Sequence, residues 1–293
     1  LNNMKTPVFT GAGVAIVTPF KDDYSVDYNL LGELIEFQIA KGTSAIIICG
    51  TTGEASTLED SEHRQCIKYC VEKVAGRVPV IAGTGSNDTA YALALSQYAQ
   101  SVGVNALLQV TPYYNKTTQD GLIKHFTYIA DRINIPMILY NVPSRTGLSF
   151  KAQTYKTLSS HPNIIGVKEA SGNFTLIAQT ISLCGDDFYI WSGNDDQVVP
   201  ILSLGGKGVI SVASNIVPEI VADMCAKFFA GDTKGAANIQ TKYFDLFNDL
   251  FLEVNPIPIK AAMSMKNMIS QRTRMPLCDM NPQNAAQLEK TLK

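Results

Sequence analysis

Histidine is scarce in this chain: its 293 residues hold only His63, His125 and His161, and no two of them fall at a metal-ligand spacing. Cysteine is no better placed, with six residues scattered at 49, 66, 70, 184, 225 and 278. Cys66 and Cys70 stand four apart on a helical stretch, but no second pair accompanies them, so a zinc site is not expected. Long apolar runs are also missing. The longest reach about eight residues, against the ~20 that a membrane-spanning helix requires. There is no block of lysine or arginine, and the formal net charge is −2, which removes the usual footprint of nucleic-acid or anionic-membrane binding. Leu1 to Pro7 has no apolar core of the signal-peptide kind, and Leu1 to Asn3 reads as a processing remnant. Reduced thiols in a cytoplasmic protein are the expectation.

What the chain does have is apolar substance and a repeat. Hydrophobic residues make up 46% and charged residues 17%, the balance of a compact globular protein. Eight short apolar segments recur: Val14–Val17, Ala45–Cys49, Val78–Ala82, Ala106–Val110, Met137–Tyr140, Ile164–Lys168, Tyr189–Ser192 and Gly208–Val212. Each is continuous rather than alternating, as parallel strands buried on both faces require. Amphipathic stretches such as Tyr28–Ala40, Glu62–Val74 and Thr89–Ser101 lie between them. Eight such units predict an α/β protein of the (β/α)8 TIM-barrel type over residues 1–230, with an open doubly wound sheet as the competitor. Beyond Asn215 the strand signal stops. Helices are predicted at Val217–Phe229, Thr233–Val254, Ile257–Ile269 and Pro282–Leu292, so residues 231–293 read as a helical extension packed on the barrel.

In such a barrel, residues at the C-terminal ends of the strands face the active site. The sixth segment ends in Val167-Lys168-Glu169-Ala170. Burial disfavours an ammonium, and an amine held neutral in a pocket attacks carbonyls to form a Schiff base. The plainer alternative is a lysine whose head reaches solvent at the strand end. Gly50-Thr51-Thr52-Gly53 places two hydroxyls and several N–H groups in a tight turn, suited to a carboxylate or simply structural. Tyr140 is either a core aromatic or an acid/base beside Lys168. Arg145, in Pro143-Ser144-Arg145-Thr146, either grips a carboxylate bidentately or lies on the surface. Tyr113 and Tyr114 are loop anchors on the same face. Two glycine-rich stretches fail as phosphate sites. Gly83-Thr84-Gly85-Ser86-Asn87-Asp88 lacks the last glycine and the ribose-binding acid, and Gly205-Gly206-Lys207-Gly208 lacks the P-loop spacing and precedes its strand.

At these motifs the chain resembles the pyruvate-dependent class I aldolase family, over nearly its whole length. The most specific pieces are Cys49-Gly50-Thr51-Thr52-Gly53-Glu54, Tyr140-Asn141-Val142-Pro143-Ser144-Arg145-Thr146 and Val167-Lys168-Glu169-Ala170-Ser171-Gly172. Within the family it looks most like the dihydrodipicolinate synthase branch, lyases that condense pyruvate with aspartate 4-semialdehyde on the route to lysine. The resemblance implies Lys168 as the Schiff-base lysine and Tyr140 as its proton donor and acceptor. It makes Thr51, Thr52 and Tyr114 a proton relay, Tyr114 reaching into a neighbouring subunit's site. Thr51 and Thr52 would also hold the pyruvate carboxylate, Arg145 the carboxylate of the semialdehyde, and Gly193 and Ile210 would line the pyruvate pocket through their backbone. It implies no metal or organic cofactor, and a homotetramer built from tight dimers. An N-acetylneuraminate lyase or keto-sugar-acid aldolase is the close rival, disfavoured by Arg145 and by Thr at both 51 and 52. A non-catalytic barrel that binds a small acid is the rival of another class. Many members bind lysine in a pocket that falls here on Ser56, Asp60, His63, Asn87, Tyr91 and Tyr113. Asp60 stands where lysine-sensitive relatives often have His, and Tyr91 where they have Glu, so weak or absent lysine inhibition is expected.

Overall fold

In the computed structural model, which describes residues 5–293, every one of the eight apolar segments contributes a strand. They are β1 (Gly11–Ala15), β2 (Ala45–Ile48), β3 (Val80–Gly83), β4 (Ala106–Val110), β5 (Met137–Asn141), β6 (Ile164–Glu169), β7 (Tyr189–Ser192) and β8 (Gly208–Ser211). All pairings are parallel, and β8 returns to β1 to close the barrel. The remnant expected at Leu1 to Asn3 lies outside the described residues.

Alternation sorts the strand side chains into two layers. Ile47, Ile81, Ile138, Trp191 and Ile210 fill the barrel interior, whereas Ile46, Ile48, Val167 and Val209 pack outward against the helices. β1 begins earlier than the apolar run suggests, since Gly11 to Val14 pair with Gly208 to Ser211. Ile16 and Val17 are buried past its end, and the Val17 N–H donates to Asn215 Oδ1 at 3.2 Å instead of to a strand. Gly83 is a close-approach glycine: a Cβ there would lie 2.2 Å from the Cys49 carbonyl oxygen. That contact between strand ends accounts for one of the glycines that mimicked a nucleotide fingerprint.

The connecting helices are α1 (Tyr28–Ala40), α2 (Asp60–Val74), α3 (Thr89–Ser101), α4 (Gln119–Ala130), the short α5 (Pro143–Thr146), α6 (Ala152–Ser159), α7 (Phe174–Cys184) and α8 (Val198–Ser203). α9 (Pro218–Phe229) follows β8, and α10 (Thr233–Lys242), α11 (Phe244–Asp249), α12 (Ile257–Met265) and α13 (Pro282–Thr291) complete the chain. The single helix expected over Thr233–Val254 is therefore broken. Its second half is α11 followed by a turn at Phe251–Asn255, ahead of Pro256, which disfavours helix in the residue before it. That turn hangs over the C-terminal mouth of the barrel.

Candidate active site

An irregularity in β6 decides where Lys168 points. Met137 pairs with Ile164 but Ile138 pairs with Gly166, so β6 carries one extra residue, Ile165. Ile165 faces the interior and Val167 the outer layer, which returns Lys168 to the interior beside Tyr140, its register partner on β5. Strict alternation from Ile165 would have sent Lys168 toward the helices. Lys168 is 6% exposed, and its Nζ stands 4.1 Å from the centroid of the Tyr140 ring. Behind it, Glu169 accepts hydrogen bonds from Asn141 Nδ2 and Tyr155 Oη, each at 2.8 Å, and from the Ser171 N–H at 3.2 Å. Burial pushes the Glu169 carboxyl up while those bonds draw it back, and burial raises the Tyr155 phenol well above its ordinary value.

Lys168 opens into a cavity of about 460 Å³ that it shares with Thr51, Thr52, Tyr140, Arg145 and Gly193. Its roof is the Phe251–Asn255 turn. Gly193 lets the lysine stem pass, since a Cβ there would lie 3.3 Å from Lys168 Cγ and Cε and 2.8 Å from Ala170 Cβ. The Thr51–Thr52 turn closes on itself through the Gly53 N–H to Gly50 O at 3.1 Å and the Glu54 N–H to Thr51 O at 3.0 Å. It is fastened from outside as well. Thr18 Oγ1 donates to Gly53 O at 2.7 Å, and Asn255 Nδ2 donates to Thr52 Oγ1 at 2.9 Å. Glu54, in a left-handed conformation (φ 56°), forms a fully buried ion pair with Lys260 of α12 at 2.5 Å and accepts the Arg274 N–H at 2.9 Å. Burial pulls the Lys260 ammonium down to about 8 despite the opposing pull of Glu54. Arg145, on α5, donates from Nη2 to the Asn255 carbonyl at 3.2 Å.

The structure thus gathers Lys168, Tyr140, Thr51, Thr52, Arg145 and Gly193 about one cavity. Ile210 is buried in the barrel floor and Tyr114 is 92% exposed on the loop after β4 (φ 68°), so neither lines it. The 251–255 turn and Lys260 escaped the sequence reading. The signal for the first was the Asn255-Pro256 dipeptide, a turn former just past the end of the helix predicted over Thr233–Val254. A second cavity of about 390 Å³ shares Thr51, Tyr140 and Arg145 with the first and runs on to Ser56, His63, Tyr91 and Tyr113. Beside it Tyr91 Oη donates to Asp60 Oδ1 at 3.0 Å, and Arg64 Nε holds the other oxygen of Asp60 at 2.8 Å. Among the described residues no group of three or more His, Cys, Asp or Glu is placed to hold a metal ion, and no helix is long and apolar enough to cross a membrane.

The model of the dihydrodipicolinate synthetase family matches residues 8–293. The chain belongs to that family. Among its relatives, the 4-hydroxy-tetrahydrodipicolinate synthase of Acetivibrio thermocellus is 55% identical over 99% of this chain and 98% of its own. The dihydrodipicolinate synthase of Acinetobacter baumannii, solved in complex with pyruvate, superposes with a TM-score of 0.95 at 41% identity, covering 97% of this chain and 98% of that one. The enzyme of Cyanidioschyzon merolae with lysine bound gives 0.94 at 39% identity, covering 98% of each chain.

Proposed function

We propose that the chain is a 4-hydroxy-tetrahydrodipicolinate synthase, condensing pyruvate with aspartate 4-semialdehyde through a Schiff base at Lys168. Family membership and the names of relatives aligned over nearly the full length support the reaction. The observation that carries the site is the buried Lys168 amine over the Tyr140 ring, at the floor of a cavity that holds two hydroxyls and a guanidinium. The neutral amine attacks the keto carbon of pyruvate, Tyr140 gives its proton to the departing hydroxyl, and water leaves, giving an iminium and a Tyr140 oxygen free to accept. The positive charge of the iminium acidifies the methyl group, whose proton Tyr140 accepts, and the enamine then adds to the aldehyde carbon. The aldehyde oxygen takes a proton as the bond forms. The amine of the product displaces Lys168 and closes the ring.

In this reading Thr51 and Thr52 hold the pyruvate carboxylate and Arg145 that of the semialdehyde. Gly193 shapes the pyruvate end, whereas Ile210, expected there, is packed into the barrel interior. Tyr114, solvent-exposed in the single chain, enters the site of a neighbouring subunit and extends the Thr52–Tyr140 proton path, within a homotetramer of tight dimers. The chemistry asks for no metal or organic cofactor. The six unpaired thiols fit a cytoplasmic setting. The barrel of residues 1–230 and the extension of residues 231–293 form one catalytic unit.

Pyruvate with borohydride tests the assignment. The peptide containing Lys168 gains the mass of a reduced pyruvate imine, and Lys168→Ala abolishes both that gain and turnover by several orders of magnitude. No adduct on that peptide would overturn the Schiff-base route, and faster turnover with a polyhydroxylated sugar aldehyde than with the semialdehyde would overturn the choice of substrate.

A further inference from the structure

Asn255 is the point at which the helical extension touches both anion-binding groups of the cavity. Its side-chain amide reaches Thr52 and its backbone carbonyl reaches Arg145, across 203 and 110 residues of sequence. Asn255 is 5% exposed and Thr52 is 2% exposed, so the amide–hydroxyl contact is closed to bulk solvent, whereas the Arg145 contact is part-buried. Oδ1 of Asn255 has no hydrogen-bond partner. That orphan is informative about the amide's orientation. Turned the other way, Asn255 would bury an unpaired N–H, and an unpaired acceptor is the more tolerable of the two.

A hydroxyl has one hydrogen to give. Because Thr52 Oγ1 accepts from Asn255 Nδ2, and an amide N–H₂ accepts nothing, the Thr52 hydrogen cannot be directed at Asn255. No other acceptor for it appears among the hydrogen bonds of the described residues, and Thr52 borders the cavity. We infer that Asn255 is a positioning residue that fixes the polarity of the Thr52 hydroxyl, turning its hydrogen into the cavity as a donor to the substrate carboxylate or to the proton path. The inference rests on the site reading above. It goes further in assigning the extension a part in the chemistry: a residue outside the barrel decides which way a barrel hydroxyl gives its proton, and anchors Arg145 as it does so.

Two substitutions and one altered background test the polarity. Asn255→Asp keeps the shape but replaces the donor with an acceptor, so Thr52 donates to the new carboxylate and its hydrogen leaves the cavity. Asn255→Ala removes the donor without supplying an acceptor, and the hydroxyl rotates freely but still donates. Steady-state kinetics on the full-length chain are expected to rank wild type above Asn255→Ala and Asn255→Ala above Asn255→Asp. The aspartate variant should lose about ten- to a hundredfold in kcat/KM for pyruvate, the worth of one hydrogen bond to a charged group. The order alone does not separate the two roles, because aspartate also brings a charge into a closed, anion-binding site. In a Thr52→Val background, replacing Asn255 by Ala should cost no further activity, and this arm decides the matter even if Asn255→Asp folds poorly. Unfolding midpoints of the same samples show which variants fold. Borohydride trapping of pyruvate on wild-type Lys168 keeps the two ideas apart. No adduct sinks the site reading itself, whereas an adduct together with Asn255→Asp as active as Asn255→Ala, or an undiminished Asn255→Ala effect without the Thr52 hydroxyl, overturns the role of Asn255.

Discussion

That Lys168, Tyr140 and Arg145 meet about one cavity was legible once the strand ends were aligned on one face, although the apolar run alone left Lys168 open between a pocket amine and a lysine whose head reaches solvent. The Glu54–Lys260 pair was not. Its partners lie 206 residues apart, and each alone looks like an ordinary charge. Both side chains are buried, and taking two charges out of water is repaid only by close geometry and further hydrogen bonds. Here Glu54 has the Arg274 N–H and Lys260 has the Arg272 carbonyl at 2.8 Å. Since Glu54 stands two residues from Thr52, the pair also holds the turn that carries the hydroxyls. Lys260→Met should cost about 3–5 kcal/mol by stranding a buried carboxylate. Glu54→Met/Lys260→Met should recover much of that loss, because the charge goes with its partner. Urea unfolding of the single and double variants checks this, and additive losses would show that the pair is not coupled.

Element boundaries were mostly readable where chemistry marks them. Asp27 caps α1 by accepting from the Leu30 N–H, Asp88 caps α3 and Thr118 caps α4, each where the apolar periodicity begins. The sequence reading failed at two kinds of place. β1 was set too late because apolarity continues past the hydrogen-bonded ladder, and only pairing with β8 fixes the register. The break between α10 and α11 was missed because residues 233–254 are amphipathic enough for one helix. The bulge in β6 left a trace, the glycine at 166 inside a β-branched run. A Cβ at Gly166 would lie 2.1 Å from the Tyr189 carbonyl oxygen and 2.9 Å from the Trp191 ring. Gly166→Ala must therefore push β6 from β7 or flatten the bulge, at about 1–3 kcal/mol or more. Because the bulge aims Lys168, activity should fall by more than the stability loss explains. Pyruvate trapping measured at a temperature where the variant remains folded separates the two, and trapping at the wild-type rate would mean that the lysine does not depend on the bulge.

At the scale of the whole molecule, the second cavity joins the catalytic one through Thr51, Tyr140 and Arg145, so an occupant there has a physical route to the site. The wall of that cavity offers an amino acid such as lysine no carboxylate. An α-ammonium needs a free carboxylate, which would contribute about 1.5–3 kcal/mol as a charge-assisted hydrogen bond. The wall presents the Tyr91 phenol instead, and that phenol is already donating to Asp60. Asp60 does not line the cavity and is held by Arg64, whose hydrogen bond keeps the Asp60 carboxyl below the usual carboxylate range. Recruiting Asp60 would mean breaking both bonds and turning the carboxylate inward. His63 cannot stand in for the carboxylate, since an imidazole carries no negative charge in either form and burial pulls it toward the neutral one. Losing the carboxylate corresponds to about a ten- to hundredfold weaker site. A rate titration with lysine should therefore leave the enzyme largely active through the sub-millimolar range. Tyr91→Glu should restore sensitivity by freeing Asp60 for Arg64 and placing a carboxylate on the wall. Half-inhibition of the unaltered chain by sub-millimolar lysine would mean that the ammonium finds its partner elsewhere in the cavity, and that Tyr91 is not what sets the response.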